Sequence, residues 1–259
     1  MKLQTKAVID AFEAVGLSNI DPHHVWDEMW TRSLAWDDAH TNSEQIWDAE
    51  ADQPRICEAI KLAANAPGRA FDTWLRLAEK GSVWSMEETA RRHAYGDGVP
   101  ADAAVAEHWY QQASAAGSQY ALLRWAAFVR SRKDYAACEA IVQEMAGEDW
   151  APATFWLAWS RIKQTPSRRT YLAAKPLFER AAEQGHPGAH WWLAEGMAKG
   201  RFGIRYVLQG HKLFKPLYDA LVESMGADEL TRELRLPAAV KFFATLLGLR
   251  RKRSGKEAC

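Results

Sequence analysis

Cysteine is scarce in this chain. There are 3, Cys57, Cys138 and Cys259, odd in number and far apart. None has C-x-x-C spacing, which argues against a disulfide scaffold or a zinc module and suits a reducing compartment. Net charge is missing too: 33 Lys plus Arg balance 33 Asp plus Glu. No global field draws such a chain toward nucleic acid or anionic lipid, and no nucleic acid partner is expected. No apolar run reaches the roughly 18 residues that a membrane-spanning helix needs. The opening MKLQTKAVIDAFEAVGLSNI breaks its apolar stretch with charges and lacks the long h-region of a secretory signal. The expected location is cytoplasmic.

Chemistry-bearing motifs are absent as well. There is no Walker-type or dinucleotide-binding glycine loop, no GxSxG elbow and no HExxH. His23 and His24, with Glu28 and His40, are the nearest thing to a ligand set. Adjacent histidines point to different sides of a helix, whereas a ligating pair wants i, i+4 spacing. Cys138 fits a small core position and reads as an inert buried thiol. The acidic pairs Asp37-Asp38 and Glu87-Glu88 read as solvated faces. No catalytic residue, metal or cofactor is expected, and the chain reads as a non-enzyme.

What the chain has is apolar content and tryptophan: 48% hydrophobic residues and 13 Trp. That is enough for a core and too much for disorder. It also has an internal repeat. Ala70 to Gly81, Ala106 to Gly117 and Ala174 to Gly185 each place bulky residues three or four positions after a small one, and each closes on glycine. A degraded copy, with Cys138, Ile141, Val142, Met145 and Ala146, ends on Asp149, which tolerates a left-handed cap better than most residues.

A second register alternates with the first: Met86/Ala90, Ala121/Trp125-Ala126, Ala153/Leu157-Ala158 and Ala189/Leu193-Ala194, starting 35, 32 and 36 residues apart. Two helical registers with one period make an A helix, a turn and a B helix, repeated about four times. Small residues such as Ala126, Ala158 and Ala194 let helices approach, and bulky ones fill the space between units. The turn Tyr95-Gly96-Asp97-Gly98-Val99-Pro100-Ala101-Asp102 joins the helices of one unit, with glycines for positive φ, then Pro100 and Asp102 for the next helix start.

This segment, YGDGVPAD followed by AxxWYxxA and AG, resembles the Sel1-like repeat, a relative of the tetratricopeptide repeat. AxxLFERAAEQGHPGA resembles the junction between two such units. The resemblance runs over about 68–222. The turns at 131–134 and 163–170 depart from it by lacking the paired glycines. It implies an all-α fold: an α/α solenoid with helical N- and C-terminal caps, the domains being 1–67, 68–222 and 223–259. His186, following a closing glycine, would serve the turn.

In tetratricopeptide-like stacks the A helices line the concave face. The resemblance therefore implies a partner-binding set of Glu88, Arg92, Tyr95, Tyr120, Leu123, Arg130, Phe155, Trp159, Lys163, Trp191, Glu195 and Lys199. Aromatics mixed with charges suit an interface core with a polar rim; the same aromatics also suit core packing. The expected function is a protein–protein adaptor or scaffold.

The flanks carry two further expectations. Trp26, Trp30, Trp36 and Trp47 would form a helical cap on the first repeats. An apolar helix at 236–249, followed by Arg250, Arg251, Lys252 and Arg253, could touch an anionic membrane or be a capping helix with a solvated tail. The alternatives to the adaptor are thus a peripheral membrane regulator and an enzyme whose residues converge only in the fold.

Overall fold

A computed structural model describes residues 33–214 and 216. The described residues are helical, with no strand among them. After a helical stretch at 33–39 come α1 (Ser43–Asp48), α2 (Gln53–Ala63), α3 (Pro67–Glu79), α4 (Val83–Tyr95), α5 (Ala103–Ala115), α6 (Gln119–Ser131), α7 (Tyr135–Gly147), α8 (Ala151–Gln164), α9 (Arg168–Glu183) and α10 (Pro187–Ala198). A 3-10 turn, Ile204–Tyr206, leads into helical residues 207–214.

Each helix from α2 to α10 packs on the next along the chain. That is the contact pattern of a solenoid, in which each unit touches only its neighbours. The A helices are α4, α6, α8 and α10; the B helices are α3, α5, α7 and α9. The small residues Ala90, Ala126, Ala158 and Ala194 are all buried, as close helix approach requires.

The punctuation between units is local chemistry. Gly81, Gly117 and Gly185 take φ of 98°, 97° and 94°, the left-handed region where a Cβ is costly. The next amide then bonds back five residues, Ser82 to Leu77, Ser118 to Ala113 and His186 to Ala181, closing the B helix. That same residue caps the following A helix: Ser82, Ser118 and His186 accept the amides of Ser85, Ala121 and Ala189. Asp149 stands at the fourth junction with φ 64°, as its place in the degraded unit implies.

The Trp-rich flank does not cap the first repeats alone. Trp36 joins the core cluster of Phe155, Trp156 and Leu123, on the later repeats. Trp47 packs edge-on against Trp84 of α4, with ring centroids 5.9 Å apart. Trp26, Trp30, the helix expected at 236–249, the run Arg250 to Arg253, His23, His24 and Glu28 lie outside the described residues.

Candidate functional site on the A-helix face

Residues 33–50 run across the A helices in reverse order, from α10 to α4. Ser33 meets the start of α10, where a Cβ on Gly188 would come 2.5 Å from the Ser33 hydroxyl. Asp37, 1% exposed, accepts hydrogen bonds from Trp156 Nε1 of α8 at 2.7 Å and His186 Nε2 at 3.0 Å. His186 Nδ1 accepts the Ala189 amide, so Nε2 carries the proton and donates.

The path continues over the earlier units. Asp38 pairs with Arg124 of α6, and the His40 carbonyl accepts from Trp150 Nε1 at 3.0 Å. Asn42 accepts from the Gln119 amide at 3.0 Å and donates to the Gly117 carbonyl at 2.8 Å. Glu50 accepts the Trp84 amide at 2.8 Å.

Nearly every repeat-side group in this strip is a donor, and nearly every group of the segment is an acceptor. Two of the donors, the Trp84 and Gln119 amides, lie at the N-terminal ends of α4 and α6, where helix amides lack partners. The others are side-chain N–H groups of Trp150, Trp156, His186 and Arg124, for which carboxylates and carbonyls are the complement. Asp37-Asp38, expected as a solvated face, is therefore an anchor. Burial raises the Asp38 carboxyl even with Arg124 beside it.

Burial corrects part of the expected binding stripe. Phe155, Trp191, Leu123, Trp159, Glu195 and Arg92 are all buried. Phe155 stacks on His186 at 4.1 Å. Arg92 is an internal strut, bonded to Glu88 and the Asp97 carbonyl and stacked over Trp74 at 4.3 Å. Tyr95 is exposed but shares neither of the two clefts described next.

The segment leaves one cleft on each side. The first, about 630 Å³, crosses the C-terminal ends of α6 and α8 and the length of α10, and Arg130, Trp159, Lys163, Trp191, Glu195 and Lys199 of the expected set line it. Tyr135 and Arg201 line it too, and sequence spacing missed both because they sit outside the A helices. Glu195 holds Lys199 and lies 3.9 Å from Arg201. Arg130 stacks over Trp156 at 3.6 Å, and burial lowers its pKa. Lys163 lies 5.0 Å over Trp159.

The second cleft, about 540 Å³, lies between α1, α4 and the start of α6. Glu88 and Tyr120 of the expected set reach it, alongside Trp47, Trp84, Glu87 and Arg91. Glu87 is only 9% exposed, against the expectation of a solvated acidic face. Cys138 is fully buried beside Ser160, which donates to its sulfur, and burial pushes the thiol pKa up. Among the described residues no three His, Cys, Asp or Glu side chains converge as metal ligands.

The architecture is an all-α helical-repeat solenoid with the fold of Sel1-like repeat proteins. The chain superposes with TM-score 0.56 and 13% identity on c5321, a protective antigen of uropathogenic Escherichia coli that displays this fold. That match covers 94% of this chain and 65% of that one, so the chain spans about two thirds of that protein's length. A Sel1 repeat protein from Oxalobacter formigenes matches with TM-score 0.51 and 13% identity, covering 95% of this chain and 99% of that one. No family model and no curated protein matches the chain.

Proposed function

We propose that the protein is a non-enzymatic adaptor or scaffold, and that it holds a carboxylate-bearing segment of a protein partner in the cleft across α6, α8 and α10. One observation carries this reading: a cleft of about 630 Å³ crosses α6, α8 and α10, and among the described residues Lys163 and Arg201 line it beside the half-buried rings of Tyr135 and Trp192. Aromatic walls supply contact area at low entropic cost, and cations supply orientation. A Sel1-like solenoid suits the task, because a rigid stack spans several helices with one continuous surface. A cytoplasmic setting is part of the same reading. A membrane role would rest on 236–253, outside the described residues, and no described helix is long and apolar enough to cross a membrane.

The test is in-cell crosslinking followed by mass spectrometry, with wild type beside Lys163→Glu/Arg201→Glu. The same charge change at exposed Lys61 and Lys80 is the control. The cleft variant should lose crosslinked proteins that the control retains, with helicity unchanged. An identical set in all three would overturn the cleft assignment.

A further inference from the structure

The second cleft is chemically unlike the first. Trp47, Trp84 and Tyr120 line it, and Glu44, Asp48 and Glu87 line it with them. Its other acid, Glu88, is spent on Arg91 and Arg92, and Arg91 is shared between Glu88 and Asp97. Arg124 stacks over Tyr120 at 4.7 Å but is matched by Asp38.

Glu87 is the informative group. Its Oε1 accepts a 2.5 Å hydrogen bond from the Ser118 hydroxyl. Ser118 is held in place because the same oxygen caps α6 by accepting the Ala121 amide. The other Glu87 oxygen has no hydrogen-bond partner among the described residues and is not sealed from solvent, while the residue is only 9% exposed and lines the cleft. A buried carboxyl with one neutral partner is costly when ionised. Burial raises its pKa to about 7, with Glu50 and Glu88 adding to the rise and Ser118 and Arg124 opposing it. A cation seated beside it would supply the missing partner, and electron-rich ring faces favour the same guest.

We propose that this cleft is a receptor for an alkylammonium group, the head of a lysine side chain carried by a protein partner. Trp47, Trp84 and Tyr120 form its walls and Glu87 its counter-ion. That a protein supplies the lysine rests on the adaptor reading; the site itself does not.

The experiment follows the indole N–H resonances of Trp47 and Trp84 in the full chain, titrated with Nα-acetyl-lysine amide. The norleucine analogue is the neutral control, and tetramethylammonium is the probe without a peptide. Saturable shifts with the lysine probe and none with norleucine are expected. Glu87→Gln should weaken binding at least tenfold while leaving the spectrum of a folded protein. Trp47→Leu, at a half-buried position, should do the same. Affinity should fall as pH drops from 8 to 6 and Glu87 takes up a proton. Tetramethylammonium binding as tightly as lysine would assign the cage to a free quaternary amine and overturn the protein-borne source. Equal responses to norleucine, or indifference to both substitutions, would overturn the cage altogether. None of these readouts uses the Lys163 cleft, so failure there and failure here are separable.

Discussion

The two ends of the A-helix face have opposite characters. In α4, 5 of 13 residues are buried, and Glu88 and Arg91 line an open acidic cleft. In α8, 11 of 14 are buried, and in α10, 11 of 12. A helix with one polar face needs one neighbouring layer; a helix apolar nearly all round needs two. The repeat supplies one layer everywhere. Over α8 the second comes from residues 33–39, through Trp36 and Asp37; over α10 it comes also from Phe202, Gly210 and Phe214, while α1 reaches α4 with Trp47. The contrast between the ends thus follows from how much chain lies over each.

The largest expected effect separates a buried anchor from an exposed one. Asp37→Ala leaves two buried donors, Trp156 Nε1 and His186 Nε2, without partners. With a cost of about 1–3 kcal/mol for each orphan, the substitution should remove about 3 kcal/mol of stability. Asp38→Ala breaks an ion pair whose partners are 26% and 37% exposed, and should cost under about 1 kcal/mol. Urea unfolding of both variants checks the ranking. Equal midpoints would mean that the cover on α8 and α10 contributes no more than a surface contact.

A second substitution probes the acidic end. Burial lifts the Glu87 carboxyl from 4.5 to about 7. The folded state therefore holds a proton that the unfolded chain releases between those values. The sign follows: stability from this group is fully present below the unfolded pKa and is lost as pH rises through about 7. Glu87→Gln removes the ionised form and keeps an amide for Ser118. At pH 8 it should be more stable than wild type by about 3 kcal/mol, and near pH 4.5 the difference should all but vanish. Unfolding free energies at the two pH values measure it. A pH-independent difference would mean that Glu87 is ionised throughout.

Much of the architecture is legible in the sequence. The alternating registers and closing glycines placed the A and B helices, because apolar period and helix caps are local properties. The concave stripe was only half legible. Spacing put Trp159, Lys163, Trp191 and Lys199 on one surface, and they do share a cleft. It could not show that Phe155 and Leu123 lie under another layer, because their cover comes from residues more than 80 positions away in the sequence. One signal was available. The α8 sequence APATFWLAWSRIKQ and the α10 sequence PGAHWWLAEGMA have almost no polar face, while Trp36-Asp37-Asp38 offers carboxylates beside an indole. An all-apolar A helix asks what covers it, and carboxylates suit buried indole and imidazole donors. Glu87 was harder. Its neighbours Trp47 and Ser118 come from α1 and from the α6 cap, and nothing in its own helix announces them.

The smallest expected effect concerns the turns that set the path of the array. Gly81, Gly117 and Gly185 occupy their left-handed positions without a Cβ, while Lys133, before α7, takes φ 64°. An L-residue there carries a penalty of about 1 kcal/mol that glycine avoids. Glycine also gives the unfolded chain more freedom, which offsets part of the gain. Lys133→Gly should therefore stabilise by about 0.5 kcal/mol, and Gly185→Ala should destabilise by about 1 kcal/mol, through one mechanism with opposite sign. Lys133 is exposed and its amide bonds back to the Arg130 carbonyl, so the substitution removes no buried contact and isolates the backbone effect. Thermal unfolding resolves shifts of this size. If Lys133→Gly were neutral while Gly185→Ala were costly, the closing glycines would be valued for space at the unit junction. No atom lies within 4 Å of a Cβ placed on Gly185, so the backbone account expects the paired, opposite outcome.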